Sequence, residues 1–164
     1  MVIVEVADER LLAACLPVLR ASFATVMAER GWTDREVPTN AAFMTMERLL
    51  AARDGGTRMF AALVDGGPVG CVSLRAARGG GVAAVELVRL GVVAGHRHHG
   101  HGAALLAHAC AVAAAGGATE VRIGIIADQV VLRDWYQRLG FVETGVDSCP
   151  GLPFAVCRMR RPLP

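Results

Sequence analysis

Apolar and polar positions alternate weakly over residues 2–6, and apolar residues then recur at helical spacing at Leu11, Leu12, Cys15, Leu16, Leu19, Phe23 and Val26. The pattern predicts a short strand and then a helix, with Asp8 as its N-cap and Gly31 as its stop. Pro17 interrupts that helical pattern, which predicts a kink or a split there. After a polar connection at 32–38, Thr39 or Asn40 can cap a second helix carrying Phe43, Met44, Met46, Leu49 and Leu50, closed by Gly55 and Gly56. Two apolar runs, 58–64 and 69–74, flank Asp65-Gly66-Gly67-Pro68, which predicts a hairpin. Arg78 and the glycines at 79–81 predict a flexible turn into a third meander strand at 82–93. A basic, glycine-spaced turn at 97–102 opens an alanine- and leucine-rich helix that Gly116 and Gly117 stop. A buried strand at 119–126, a helix at 129–139 stopped by Gly140, and an antiparallel pair at 141–146 and 154–159 complete the chain, the pair being joined by the loop 147–153.

The resulting order is β-α-α-β-β-β-α-β-α-β-β, a mixed α/β arrangement that combines a meander with a βαβ crossover and is expected to form one domain over residues 1–164. The crossover helix is the one opened by the basic turn. Its N-terminus points at the carboxyl ends of parallel strands, where α/β proteins place ligands.

That turn reads Arg97-His98-His99-Gly100-His101-Gly102 and is built like an anion socket. The first main-chain N–H groups of a helix lack intrahelical partners. Glycine lets the backbone approach a ligand closely, and Arg97 adds a planar fork of donors suited to phosphate oxygens. A pyrophosphate fits this chemistry.

Composition narrows the classes. With 54% hydrophobic residues over 164 positions, many of them small alanines and valines, no membrane span is expected and the protein should be soluble. The acids at Glu5, Asp8 and Glu9, with no basic segment before an apolar core, do not read as a secretory signal, and a cytoplasmic location is the default expectation. A formal charge of +2 does not argue for nucleic acid. All 17 basic residues are arginine, which reads as codon bias. Without lysine, no Walker-type phosphate loop exists, and a dinucleotide fingerprint fails for want of a third glycine. Five cysteines (15, 71, 110, 149, 157) form no CxxC pair and suit reduced thiols, mostly as small core residues, with Cys149 the most exposed candidate.

The residues resemble the GNAT superfamily of acyl-CoA-dependent N-acetyltransferases. Arg97-His98-His99-Gly100-His101-Gly102 matches its Arg-x-x-Gly-x-Gly signature, directly after a strand of the form Glu86-Leu-Val-Arg-Leu-Gly-Val92. Tyr136 to Phe141 looks like the family's Tyr-x-x-x-Gly-Phe segment, and the stretches 23–26 and 38–43 look like one GNAT subgroup. The resemblance implies the three-layer α/β/α GNAT fold and direct transfer of an acetyl group from acetyl-CoA to a primary amine in a ternary complex. It implies that backbone at Leu90 and Val92, exposed by a bulge and splaying of the strand, pairs with the pantetheine arm. Arg97, His98, His99, Gly100, His101, Gly102 and Ala103 would surround the pyrophosphate, with Gln129 and Arg133 as further cofactor contacts. Gln129 stands where the family often has asparagine, on a longer arm. The acceptor would be an amine of a small molecule or peptide, with no nucleic acid or membrane partner, and a homodimer is a possibility the family offers. The competing reading is a non-catalytic acyl-CoA-binding or sensing module of the same fold.

Acetyl transfer to an amine needs a proton acceptor, donors to the thioester oxygen and a proton for the departing thiolate. Glu86, in a mostly apolar strand, is the base candidate; its structural alternative is an ion pair with an arginine such as Arg89 or Arg122. Tyr136, the single tyrosine, is the acid candidate; its alternative is a core aromatic. The histidines at 96, 98, 99 and 101 are expected to be solvated donors near phosphate rather than a metal site. Trp32 and Trp135 are expected to pack, His108 to be an ordinary helical residue, and Asp128 to cap the next helix rather than meet a cationic acceptor. Acceptor choice should lie in the connection 31–40 and the loop 147–153.

Overall fold

The computed structural model describes residues 1–77 and 83–164. Along these run β1 (Val2–Glu5), α1 (Glu9–Arg30), α2 (Met46–Asp54), β2 (Arg58–Val64), β3 (Gly67–Ala76), β4 (Ala84–Val92), α3 (His101–Ala115), β5 (Glu120–Ile126), α4 (Val130–Arg138), β6 (Val142–Ser148) and β7 (Ala155–Pro162). The strands join in one sheet of order β1-β2-β3-β4-β5-β7-β6. β4 and β5 run parallel, and the other neighbours pair antiparallel. The expected turn at 78–81 and the first residue of the expected third strand, Val82, lie outside the described residues.

Period-two alternation sorts the core into two layers. Phe60, Ala62, Val72 and Leu74 turn to one face and bury against Leu105, Leu106, Ala109 and Cys110 of α3 and Tyr136 of α4. Met59, Ala61 and Cys71 turn to the other and bury against Leu12, Cys15 and Leu19 of α1 and Leu49 of α2. Helices on both faces of one sheet make the three-layer α/β/α arrangement. The hairpin turns at Asp65 (φ 50°) and Gly66 (φ 81°), both left-handed as a type I′ turn requires. Cys15, Cys71, Cys110 and Cys157 are buried free thiols, while Cys149 is half-buried.

Several expectations change. Asp8 caps α1, accepting from the Leu11 N–H at 2.8 Å, but the helix is not split at Pro17. The pyrrolidine sits on the exposed side, so the lost bond frees a carbonyl on the solvent side while the buried stripe Leu12, Cys15, Leu19, Ser22 and Met27 holds the helix on the sheet. By length and composition alone α1 is also apolar enough to cross a membrane, while its stripe of Leu12, Cys15 and Leu19 is packed on the sheet. The second helix starts later than its apolar pattern suggests. Asn40 caps only a single 3₁₀ turn, Ala41–Phe43, and Thr45 caps α2, so Phe43 and Met44 precede the helix.

Candidate active site

The sheet opens between β4 and β5. Their pairing covers only Ala84, Val85 and Glu86 against Glu120, Val121 and Arg122. Beyond that point β5 stays zipped to β7 as far as Ile126, and β4 stays with β3 as far as Val92, so the two facing edges part. A bulge bends β4 away: Ser73 opposes Val88 and Cys71 opposes Gly91, leaving Arg89 and Leu90 against one partner. Arg89 takes the left-handed conformation (φ 57°), which costs a non-glycine residue about 1 kcal/mol or more. The opened edge, carrying Leu90 and Val92, has the geometry for an added strand-like ligand. One lone pair of the Val92 carbonyl is already used, accepting from Arg97 Nε at 3.0 Å.

The β4–α3 turn ends at the mouth of this opening. His98 (φ 64°) and Gly100 (φ 80°) are both left-handed, and the first bond of the helix runs from the Ala104 N–H to the Gly100 carbonyl at 3.0 Å. The main-chain N–H groups of His98, His99, Gly100, His101, Gly102 and Ala103 have no protein acceptor among the described residues. Successive free N–H groups around left-handed residues form an anion nest at the positive end of a helix. At Gly102 a side chain would begin 3.7 Å from the Trp135 ring, an ordinary contact, so glycine is required by conformation at Gly100 rather than by crowding at Gly102.

Arg97 does not aim its fork at this nest. Its Nε and Nη2 donate to the carbonyls of Val92 and Ser22, each at 3.0 Å, and so tie α1 to the end of β4. Arg97→Gln should therefore act mainly on stability, costing about 2 kcal/mol or about 4–8 °C in melting temperature. An unchanged melting temperature with weakened CoA binding would return Arg97 to the phosphates. His99 Nδ1 donates to the Arg97 carbonyl at 2.7 Å, and His101 Nδ1 lies 2.9 Å from Met1 Sδ. The His99 and His101 rings stack with centroids 5.9 Å apart. No group of three or more His, Cys, Asp or Glu side chains among the described residues is arranged to hold a metal ion.

Glu86 stands where pairing with β5 ends, its side chain 23% exposed. Its cross-strand partner is Arg75, whose Nε and Nη2 both reach Oε2 at 2.7 Å, and not Arg89 or Arg122. It is a carboxylate held by a guanidinium, not an acid isolated among apolar groups. Tyr136 is 5% exposed and stands edge-on to Trp135 and Phe141, with centroids 4.8 and 5.3 Å away. Burial pushes its hydroxyl above the usual phenol range, so it keeps its proton at neutral pH. Among the described residues the hydroxyl has no partner yet is not sealed, and the one enclosed, unpartnered side-chain polar atom is Ser73 Oγ.

The remaining candidates separate. Gln129 sits at the N-cap of α4 without capping it. Arg133 turns to Glu143 of β6 at 3.8 Å. Asp128 does not cap α4 either. It is doubly bonded to Arg30 at the end of α1, at 2.6 and 2.7 Å, and that guanidinium holds its carboxyl below the usual range. Arg30 also lies over the Trp32 ring at 5.5 Å, and Trp32 meets Phe154 at 4.9 Å. Through Met27, Val37 and Ala42, with Leu152 and Phe154 packed on them, the two segments expected to set acceptor choice become one apolar rim.

Sequence reasoning missed Arg75, the left-handed conformation of Arg89 and the Arg30–Asp128 bridge. Hairpin register could have found Arg75, eleven residues before Glu86. Nothing in the order of residues marks Arg89 as left-handed or joins positions 98 residues apart.

A sequence model described as the acetyltransferase (GNAT) family matches residues 22–141. No curated protein sequence matches the chain. Among solved structures, an N-acetyltransferase from Staphylococcus aureus Mu50 superposes with a TM-score of 0.76 at 16% identity, covering 100% of both chains. The ribosomal-protein-alanine N-acetyltransferase from Brucella melitensis gives 0.74 at 22% identity over 99% of this chain and 100% of that one. The PaiA N-acetyltransferase from Thermoplasma acidophilum, in complex with coenzyme A, gives 0.73 at 17% identity over 99% of each. At these identities the likeness speaks for the fold.

Proposed function

The chain belongs to the GNAT acetyltransferase family, and from that premise we propose that it moves an acetyl group directly from acetyl-CoA to a primary amine while both are bound. The observation that carries the reading is the unpaired edge of β4 beyond Glu86, ending at six free N–H groups. A pantetheine arm is amide-bearing and extended, so it can complete the strand edge, and a pyrophosphate can take the nest. Acetyl-CoA supplies an activated thioester; the residues of this chain supply position and protons.

Glu86, at the point where the strands part, accepts the amine's proton through a water, and Arg75 fixes the carboxylate while it does so. The amine nitrogen then bonds to the acetyl carbon, N–H groups of the splayed strand steady the oxygen, and the C–S bond breaks. Tyr136 supports protonation of the departing sulfur, since its buried hydroxyl keeps a proton to give. A module that only binds acyl-CoA is not favoured by the family assignment.

The test is release of free thiol from acetyl-CoA across an amine panel, with mass spectrometry of protein incubated with acetyl-CoA alone. Turnover with some amine and no acetylated protein is expected; an acetyl-protein competent to react onward would replace direct transfer by a covalent route. Glu86→Gln should lower turnover about fivefold to tenfold at neutral pH, a partial loss because solvent can still take the proton. Wild-type turnover in that variant would leave Glu86 as the partner of Arg75 and nothing more.

A further inference from the structure

On the α1–α2 face beside the opening, guanidinium groups outnumber carboxylates. Alternation places Ser73, Arg75, Glu86 and Val88 on this face, level with Glu120 and Arg122 of β5. Both of those carboxylates are engaged: Glu86 by Arg75, and Glu120 by Arg122 and Arg160 at 2.6 and 3.3 Å. Arg48 of α2 uses Nη1 on the carbonyls of Pro38 and Phe43 and meets no acid among the described residues.

Arg89 differs from all of these. It is half-buried, stands at the left-handed residue of the bulge, and its guanidinium makes no hydrogen bond or ion pair with any described residue. Burial and repulsion by Arg75 and Arg48 push its pKa down, yet an arginine stays charged at any working pH. A notch of about 10 Å³ beside it is lined by Ser73, whose Oγ is sealed and unpartnered, with Leu49, Arg53, Thr57 and Met59. That is room for about one water, so no whole acceptor enters, and an anion must come to the part of Arg89 that remains exposed. A desolvated cation without a counter-charge costs free energy that a bound anion returns. The guanidinium is a donor only, which suits an oxyanion; the sealed Ser73 hydroxyl can donate as well as accept and reaches such a group only through a water.

We propose that the acceptor is a small amine that also carries an oxyanion, a carboxylate or a phosphonate-type group, and that Arg89 receives that group while Arg48, its guanidinium bonded only to carbonyls among the described residues, adds an unmatched positive charge nearby. The inference rests on the acetyltransferase reading. It also sets the chain apart from transferases of polycationic amines, which this arginine-rich face would repel.

The experiment is steady-state acetylation by the full chain of three matched acceptor sets: amino carboxylates and aminophosphonates, the same carboxylates as uncharged amides, and polyamines. The anionic set should win by at least about tenfold in kcat/KM, the two anions dividing the preference between themselves, and des-amino carboxylates should compete with the acceptor. Arg89→Gln should raise KM for the anionic acceptor about tenfold or more, change KM for its amide less than about twofold, and leave acetyl-CoA affinity unaltered. A merely structural arginine would penalise carboxylate and amide alike, and that result overturns the proposal. Should the variant fail to fold, the wild-type ranking and the des-amino competition decide: preference for amides or polyamines overturns the inference while leaving the transferase reading intact. Acetyl-CoA binding with no acetylation in any set overturns both.

Discussion

Gly91→Val should lower stability by about 3 kcal/mol, or roughly 6–12 °C in melting temperature for a chain of this size. A Cβ at Gly91 would stand 2.7 Å from Ser22 Cβ and 2.9 Å from Phe23 Cε2, so α1 or the bulged end of β4 must move to admit it. Neither moves freely. Arg97 ties the Ser22 carbonyl to the Val92 carbonyl, and Phe23 is packed in the α1 layer. The same displacement would shift the strand edge proposed to hold pantetheine, so CoA affinity should fall with stability. Gly95→Ala is the control, because nothing lies within 4 Å of its Cβ position and its φ is ordinary. Denaturant unfolding with unequal midpoints for the two variants and equal slopes is the expected result. Equal midpoints would mean that α1 does not press on β4 as the structure has it.

This contact marks the limit of what the residue order reveals. The βαβ crossover and its basic turn were legible, because hydrophobic period, glycine stops and the Arg97 to Gly102 spacing all act locally. So was the opening itself in outline, through the likeness of residues 86–92 to a bulged strand. The partners were not legible. Glu86 reads as an acid among apolar neighbours, yet register sets Arg75 beside it; Arg97 reads as a phosphate ligand, yet it is spent on two carbonyls. Asp128 has the local signature of an N-cap, but Arg30 arrives from the other end of the chain and a charge-assisted double bond outweighs one cap. In each case a tertiary contact took a side chain whose local options were weaker.

Tyr136→Phe should slow acetyl transfer in a single turnover by about tenfold to a hundredfold while leaving the dissociation constant for CoA unchanged. The substitution isolates the hydroxyl. A phenyl ring keeps the edge-on contacts to Trp135 and Phe141, and no protein hydrogen bond is lost because the hydroxyl has none. Stability should therefore stay within about 1 kcal/mol of the parent, since the hydroxyl removed from this buried site has no partner among the described residues. Because burial holds the phenol above its usual range, the parent should not lose rate between pH 7 and about 9 through ionisation of Tyr136; the acidic form persists across that window. Rate loss with full CoA affinity and unchanged stability assigns the hydroxyl to the chemical step. Loss of all three together would make Tyr136 a packing residue of α4, and an unchanged rate would leave the sulfur to take its proton from water.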